Sequence, residues 1–189
     1  MWVYVETLPS TSWPIAKNYF EAQSLNITDA NPDTGIMLIE FSKDINFKVT
    51  VEHGIKEAST EIFLSTFTSN PSETMEQDPE FIQNQLSEIV QFFANSVSSF
   101  SGTSLAAQNL NDRKKTKIFN LNDQTIIELN LGFDRAWSAV SRALDAGKIT
   151  SNDIDRDNGL FFVSYAMESE EEGWFSFLNF NNDENNNSL

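Results

Sequence analysis

Hydrophobic and polar positions follow the same order twice along this chain. Val3-Tyr-Val-Glu6 and Ile126-Ile-Glu-Leu129 alternate like strands, and each is followed by a helical stretch. Trp13, Ala16 and Phe20 in one stretch, and Trp137, Val140 and Leu144 in the other, recur at i, i+3 and i+7, which is one face of a helix. Ser10 and Asp134 are the expected caps of the two helix starts, and Pro14 is tolerated near the first turn. Gly147 is expected to end the second helix. Two strands then flank turn-rich Asn31-Pro-Asp-Thr-Gly35 or Asp155-Arg-Asp-Asn-Gly159. Trp13 and Gly35 are matched by Trp137 and Gly159 without a gap, as are Asp29 and Asp33 by Asp153 and Asp157, and Ile36 and Leu38 by Leu160 and Phe162.

The first copy continues. Phe47-Lys-Val-Thr-Val51 and Glu61-Ile-Phe-Leu-Ser-Thr-Phe67 read as two more strands, separated by His53, Gly54 and a polar stretch. Ile82, Leu86, Ile89, Val90, Phe93 and Val97 then predict a helix from about Asp78 to Val97 that lies across the sheet. The resulting β-α-β-β-β-β-α order is that of a helix-grip module. The fold class expected is therefore α+β, with two helix-grip modules in tandem, each an antiparallel sheet packed on helices. Residues 1–98 form the first. The Ser-, Thr-, Asn-, Gly- and Ala-rich stretch 99–116 reads as a flexible linker. Residues 117–180 form the second module, truncated because its later strands and closing helix are missing, and 181–189 read as a disordered Asn-rich tail. A sheet stopped short in this way has an open edge, which is expected either to be poorly ordered or to pair with another chain.

Charge narrows the partners. With 28 acidic against 12 basic residues the chain carries −16, which repels phosphate backbones and anionic headgroups and makes nucleic acid an unexpected partner. Four of the basic residues, Arg113, Lys114, Lys115 and Lys117, cluster in the linker, where solvation is the ordinary expectation. There is no cysteine, so disulfides, thiolate metal sites and Cys nucleophiles are excluded within this stretch. No run reaches the roughly 18 apolar residues of a membrane span, and strand-like Trp2-Val-Tyr-Val5 follows Met1 where a signal peptide would carry a basic region.

No catalytic, cofactor or metal site is expected. Asp153, Asp155, Asp157 and Gly159, like Asp29, Asn31, Asp33 and Gly35, approach a calcium loop, but the glycine falls one position late and Ser164 stands where a bidentate carboxylate is needed. Hairpin turns account for both. Gly102-Thr-Ser104-Leu-Ala106 approaches a nucleophile elbow without its final glycine. His53, the one histidine, is expected at a surface turn away from Ser104. Trp13 and Trp137 either fill ordinary core or line a pocket for a small apolar ligand between helix and sheet. Trp174, Phe175, Phe177, Leu178 and Phe180 gather five large apolar residues between the acidic Glu168-Ser-Glu-Glu-Glu172 and the tail. They either fold back as a short amphipathic helix or form a partner-docking patch, and they are the candidate protein-binding site.

Phe133-Asp-Arg-Ala-Trp137, Asp155-Arg-Asp-Asn-Gly-Leu-Phe-Phe-Val-Ser-Tyr165 and Gly173-Trp-Phe-Ser-Phe-Leu178 together resemble the BamC lipoprotein family. That resemblance implies two helix-grip domains in tandem, agreeing with the repeat. It also implies a non-catalytic accessory scaffold of the outer-membrane β-barrel assembly (BAM) complex, lipid-anchored on the periplasmic side, with a BamD-like lipoprotein and a BamA-like barrel protein as partners. The lipidated Cys and the long docking segment of the family would lie outside this chain, so no residues are carried over for that contact. The alternative function is a periplasmic grip-fold carrier of a small apolar ligand.

Overall fold

The computed structural model describes residues 1–68, 70–72, 75, 78–97 and 102–164. The chain divides into two compact units, Met1–Thr116 and Lys117–Leu189. In the first unit, β1 (Trp2–Val5), α1 (Pro9–Ala22), β2 (Asn26–Asn31), β3 (Ile36–Glu40), β4 (Asn46–His53), β5 (Thr60–Phe67) and α2 (Pro79–Ser96) follow in order. The strands form one antiparallel sheet, β1-β5-β4-β3-β2, so the first strand is inserted beside the last. The class is α+β, as the hydrophobic pattern predicts, with helices covering the sheet.

Strict alternation selects the covered face. Phe47, Val49, Val51 and His53 on β4 are buried, and their cross-strand partners Thr66, Leu64, Ile62 and Thr60 on β5 are buried with them. Trp13, Ala16, Tyr19 and Phe20 of α1, and Ile82, Leu86, Ile89 and Phe93 of α2, complete one contiguous core. Two positions of the α2 pattern fall outside it: Val90 and Val97 are 39% and 42% exposed, because the buried stripe of α2 is narrower than the apolar spacing suggests. Asp78 caps α2, its carboxylate accepting from the Glu80 N–H at 3.0 Å.

The caps of the other helices differ from expectation. Ser10 and Asp134 lie inside the first turns, and Leu8 and Gly132 stand at the N-cap positions without a capping side chain. The extended chain continues to Leu8, and Pro9 then sets φ for the first helical position.

The stretch expected to be a flexible linker is largely folded onto the first unit. Leu105–Asp112 forms a 3-10 helix against α1, and its Ala107 and Leu110 are 0% and 1% exposed. Burying one leucine contributes about 2 kcal/mol, enough to fix a polar strap that composition alone would leave free. The Ser104 N–H donates to the Ser10 carbonyl, and the Thr116 hydroxyl donates to the Ile55 carbonyl.

In the second unit, α3 (Phe133–Ala146), β8 (Thr150–Asp155) and β9 (Leu160–Ser164) repeat α1, β2 and β3 residue for residue. Ser24 and Lys148, which follow the two helices, both take left-handed backbone conformations, φ 59° and 54°. The Leu25 N–H donates to the Phe20 carbonyl as the Ile149 N–H does to the Leu144 carbonyl. Even the irregularity in β2 between Ile27 and Asp29 recurs in β8 between Ser151 and Asp153. Before α3, β6 (Thr116–Leu121) and β7 (Gln124–Leu129) form a two-stranded sheet. Asn122 and Asp123, both at positive φ, make the tight turn between them, a pairing the repeat did not reveal. Among the described residues no counterpart of β4, β5 or α2 follows β9.

Candidate protein-binding surface

The five residues of the candidate docking patch, Trp174, Phe175, Phe177, Leu178 and Phe180, lie outside the described residues. The described part of the second unit has an aromatic cluster of its own. Trp137 stacks on Phe161 with ring centroids 4.0 Å apart, joining α3 to β9, and Phe133 lies 5.8 Å from Trp137. Arg156 sits 6.0 Å from both the Phe133 and Trp137 rings and pairs with Asp134 at 2.6 Å. This cluster holds the Asp155-Arg-Asp-Asn-Gly159 turn against the start of α3.

Beyond that cluster, the described apolar residues of the second unit are exposed or only partly buried. Met37 and Ile39 of β3 are 0% exposed, whereas Val163, the counterpart of Ile39, is 46% exposed. No residue of α3 is buried, although its apolar stripe is at least as marked as that of α1. In the first unit β4, the strap and α2 share one core with these positions, and among the described residues the second unit has no counterpart of them.

Both acidic turns use side-chain oxygens to accept hydrogen bonds from within the turn itself. Asn31 Oδ1 accepts from the N–H groups of Asp33 (2.9 Å) and Thr34 (3.2 Å), and Gly35 follows at φ 74°. Asp155 accepts from the Asn158 side-chain amide at 2.8 Å and from its backbone N–H at 3.1 Å, which hold its carboxyl below the ordinary range. These are hairpin turns.

His53 is not at the surface. It is 3% exposed at the end of β4, because it continues the inward alternation of Phe47, Val49 and Val51. Its Nδ1 lies 2.8 Å from the Gly54 carbonyl, which makes Nδ1 the donor, and Nε2 is buried without a hydrogen-bond partner among the described residues. Ser104 is tied through its backbone to Ser10 at the strap.

Three of the four clustered basic residues are likewise not simply solvated. Arg113 donates to the Asp33 carbonyl at 2.6 Å, Lys114 pairs with Glu57 at 2.9 Å, and Lys115 bridges Glu61 at 2.6 Å and Glu52 at 2.9 Å. The Glu61 side chain is only 2% exposed and that of Lys115 only 11%, so this pair is closed from water. Reciprocally, Glu57 is lowered and Lys114 raised from their ordinary values, each chiefly by the hydrogen bond between them. The cluster is an intramolecular clasp that fastens the strap.

Trp13 is 5% exposed within the continuous core. An open groove of 540 Å³ lies elsewhere, between Leu25 and Phe41, and its walls of Asn26, Glu40, Lys43 and Asn46 suit polar contents better than an apolar ligand. Among the described residues no helix is long and apolar enough to cross a membrane.

No protein-family model matches the chain. Two curated relatives do. Outer membrane protein assembly factor BamC of Thiobacillus denitrificans is 24% identical over 222 aligned positions, covering 95% of this chain and 59% of the relative. Its counterpart from Accumulibacter regalis is 24% identical over 220 positions, covering 94% and 57%. The chain thus spans under three fifths of the length of these relatives. Over almost all of its own length, the chain is similar in sequence to BamC assembly factors.

Proposed function

We propose that this chain is a non-catalytic accessory in the assembly of outer-membrane β-barrel proteins and acts by protein–protein contact. The observation that carries this is the likeness to two outer membrane protein assembly factors across some 95% of the chain. The architecture is in keeping with it: small sheet-and-helix units joined by a docked strap offer edges and faces to partners. The expected setting is the periplasmic side of the outer membrane, among BamD-like and BamA-like subunits.

Within that role, Trp174, Phe175, Phe177, Leu178 and Phe180 are proposed as a partner-docking patch, since buried aromatics dominate the binding energy of interfaces. The test is an affinity pull-down of the natural full-length protein from detergent-solubilised membranes of its source, with quantitative mass spectrometry. Barrel-assembly subunits are expected at near-stoichiometric levels, and replacing Trp174 and Phe175 by Ala is expected to reduce them while the first unit stays folded. If none of these subunits is recovered, the scaffold role falls. If they are recovered undiminished with the substituted protein, the patch is excluded.

A further inference from the structure

We propose that Asn158, in the turn between β8 and β9, is a self-modifying site whose side-chain amide converts without an enzyme to aspartate and isoaspartate, and that Asp155 restrains the conversion. Of the chain's seven glycines only Gly159 follows an asparagine. That glycine leaves its backbone nitrogen open to approach the preceding side chain. Among the described residues nothing lies nearer than a Phe133 ring carbon, at 3.6 Å, to where a Cβ would stand. Asn158 is exposed. Its counterpart in the first unit, Thr34, is exposed too, although β4, β5, α2 and the strap are all in place there, so the later strands of such a unit leave this position in solvent. Thr34 has no amide carbon to attack, which confines the chemistry to the second unit.

The reaction needs only water and hydroxide. The Gly159 amide nitrogen gives up its proton and attacks Asn158 Cγ. The new N–C bond closes a cyclic imide, the Cγ–Nδ2 bond breaks with its electron pair on nitrogen, and ammonia leaves with a proton taken from water. Water then opens the imide. Cleavage at the side-chain carbonyl gives aspartate with the main chain as before, and cleavage at the main-chain carbonyl gives isoaspartate, whose backbone runs through Cγ. The net change is water consumed and ammonia released, with nothing oxidised or reduced. Asparagine is among the thermally labile side chains for this reason.

Asp155 holds the unreacted geometry. One of its oxygens accepts from the Asn158 backbone N–H and the other, at 2.8 Å, from the amide nitrogen that has to turn and leave. The Gly159 N–H is occupied as well, donating to the Arg156 carbonyl at 3.2 Å. A carboxylate this close also opposes the negative charge that gathers on the attacked amide. The first unit supplies the comparison. Asn31, at the position of Asp155, has a single side-chain oxygen, and both of its bonds come from backbone N–H groups, so that turn stands without a side-chain restraint at Thr34. After conversion, a carboxylate at 158 faces Asp155 where an amide had donated to it. Isoaspartate also adds a methylene to the main chain inside the turn that sets the Asp155↔Leu160 register.

The test incubates the full chain, labelled with nitrogen-15, in warm, mildly alkaline buffer beside the free peptide Ile-Asp-Arg-Asp-Asn-Gly-Leu-Phe, the sequence of the turn. Peptide mapping by mass spectrometry reads the exchange of amide for acid at position 158, and isoaspartyl methyltransferase labels the isoaspartate. Conversion at Asn158 is expected to be slower than in the free peptide. The native amide signals of Gly159 and Leu160 should fade at the same rate, while those of Ile36–Glu40 stay still. Asp155→Asn, which keeps the backbone bond of the turn as Asn31 does, is expected to leave the β8–β9 signals native at the outset. It should then convert about fivefold faster, the worth of one ordinary hydrogen bond. Asn158→Gln is expected to stay intact and to keep its signals throughout. An Asn158 still intact when the free peptide has fully converted overturns the site. A folded chain that keeps pace with the peptide, or an Asp155→Asn variant no faster than the native chain, overturns the restraint by Asp155.

Discussion

Asn111 closes the N-terminus of α1 from 101 positions away. Its Oδ1 accepts from the Ser10 N–H at 3.0 Å, and its Nδ2 donates to Ser10 Oγ at 3.0 Å. Because Leu8 brings no capping oxygen, the strap supplies the acceptor that the helix start lacks. Asn111→Ala is therefore expected to destabilise the first unit by about 1 kcal/mol, the ordinary worth of a cap. Chemical denaturation checks this, and Asn111→Asp, which keeps the acceptor, should retain part of the loss.

Lys115 is expected to be the most sensitive basic residue. Lys115→Ala removes the cation beside the buried Glu61 carboxylate, at a cost on the order of 3 kcal/mol. Replacing both partners, Lys115→Met with Glu61→Leu, should recover most of it, since the desolvation of both charges disappears together. A double-mutant cycle by urea denaturation measures the difference.

The Lys114–Glu57 pair gives the clasp a pH dependence. Glu57 is lowered from 4.5, so its contribution is fully present above that value and is lost as pH falls through the lower folded value. Lys114 is raised, so its share persists through neutrality and fades only at strongly alkaline pH. Both groups are exposed, so the effect is small and salt-sensitive. The expected outcome is a lower melting temperature for Glu57→Gln than for the native chain at pH 7, with the gap closing below about pH 4.

The two turn glycines are expected to respond unequally. Gly35 and Gly159 share a left-handed backbone, at φ 74° and 70°, which costs an alanine about 1 kcal/mol in either turn. At Gly35 the added Cβ would also fall on the Val51 carbonyl oxygen, whereas at Gly159 the nearest atom is a Phe133 ring carbon at 3.6 Å. Gly35→Ala should therefore lower stability well beyond that figure, and Gly159→Ala should show only the backbone cost. Thermal melts of the two variants decide it.

The repeat was legible because its signals are local. Trp13 and Trp137, the turns before Gly35 and Gly159, and the alternation around Ile36 and Leu160 depend on spacing alone. The strap was not legible, because Ala107 and Leu110 are two apolar positions in a polar stretch and their burial depends on α1, far away in sequence. His53 was misplaced by its neighbour Gly54, which reads as a turn, although extending the Phe47, Val49, Val51 alternation by one step points inward. The clasp was hidden because Lys115 gains meaning only from Glu61 and Glu52 on neighbouring strands. The counterpart of β3 in the second unit, β9, was visible in sequence because the repeat places Leu160 and Phe162 on Ile36 and Leu38.

The half that both units share also sets an expected order of events in folding. α1, β2 and β3 touch their neighbours over short stretches of chain, whereas Val3 must find Ile62 before the sheet closes. Short loops form first because closing them costs less entropy. Substitutions in the β2–β3 hairpin should thus slow refolding, while Val3→Ala should mainly speed unfolding, as stopped-flow kinetics would register. The repeated helix and hairpin then form a nucleus that the first unit builds upon, and the second unit carries the same nucleus within its own sequence.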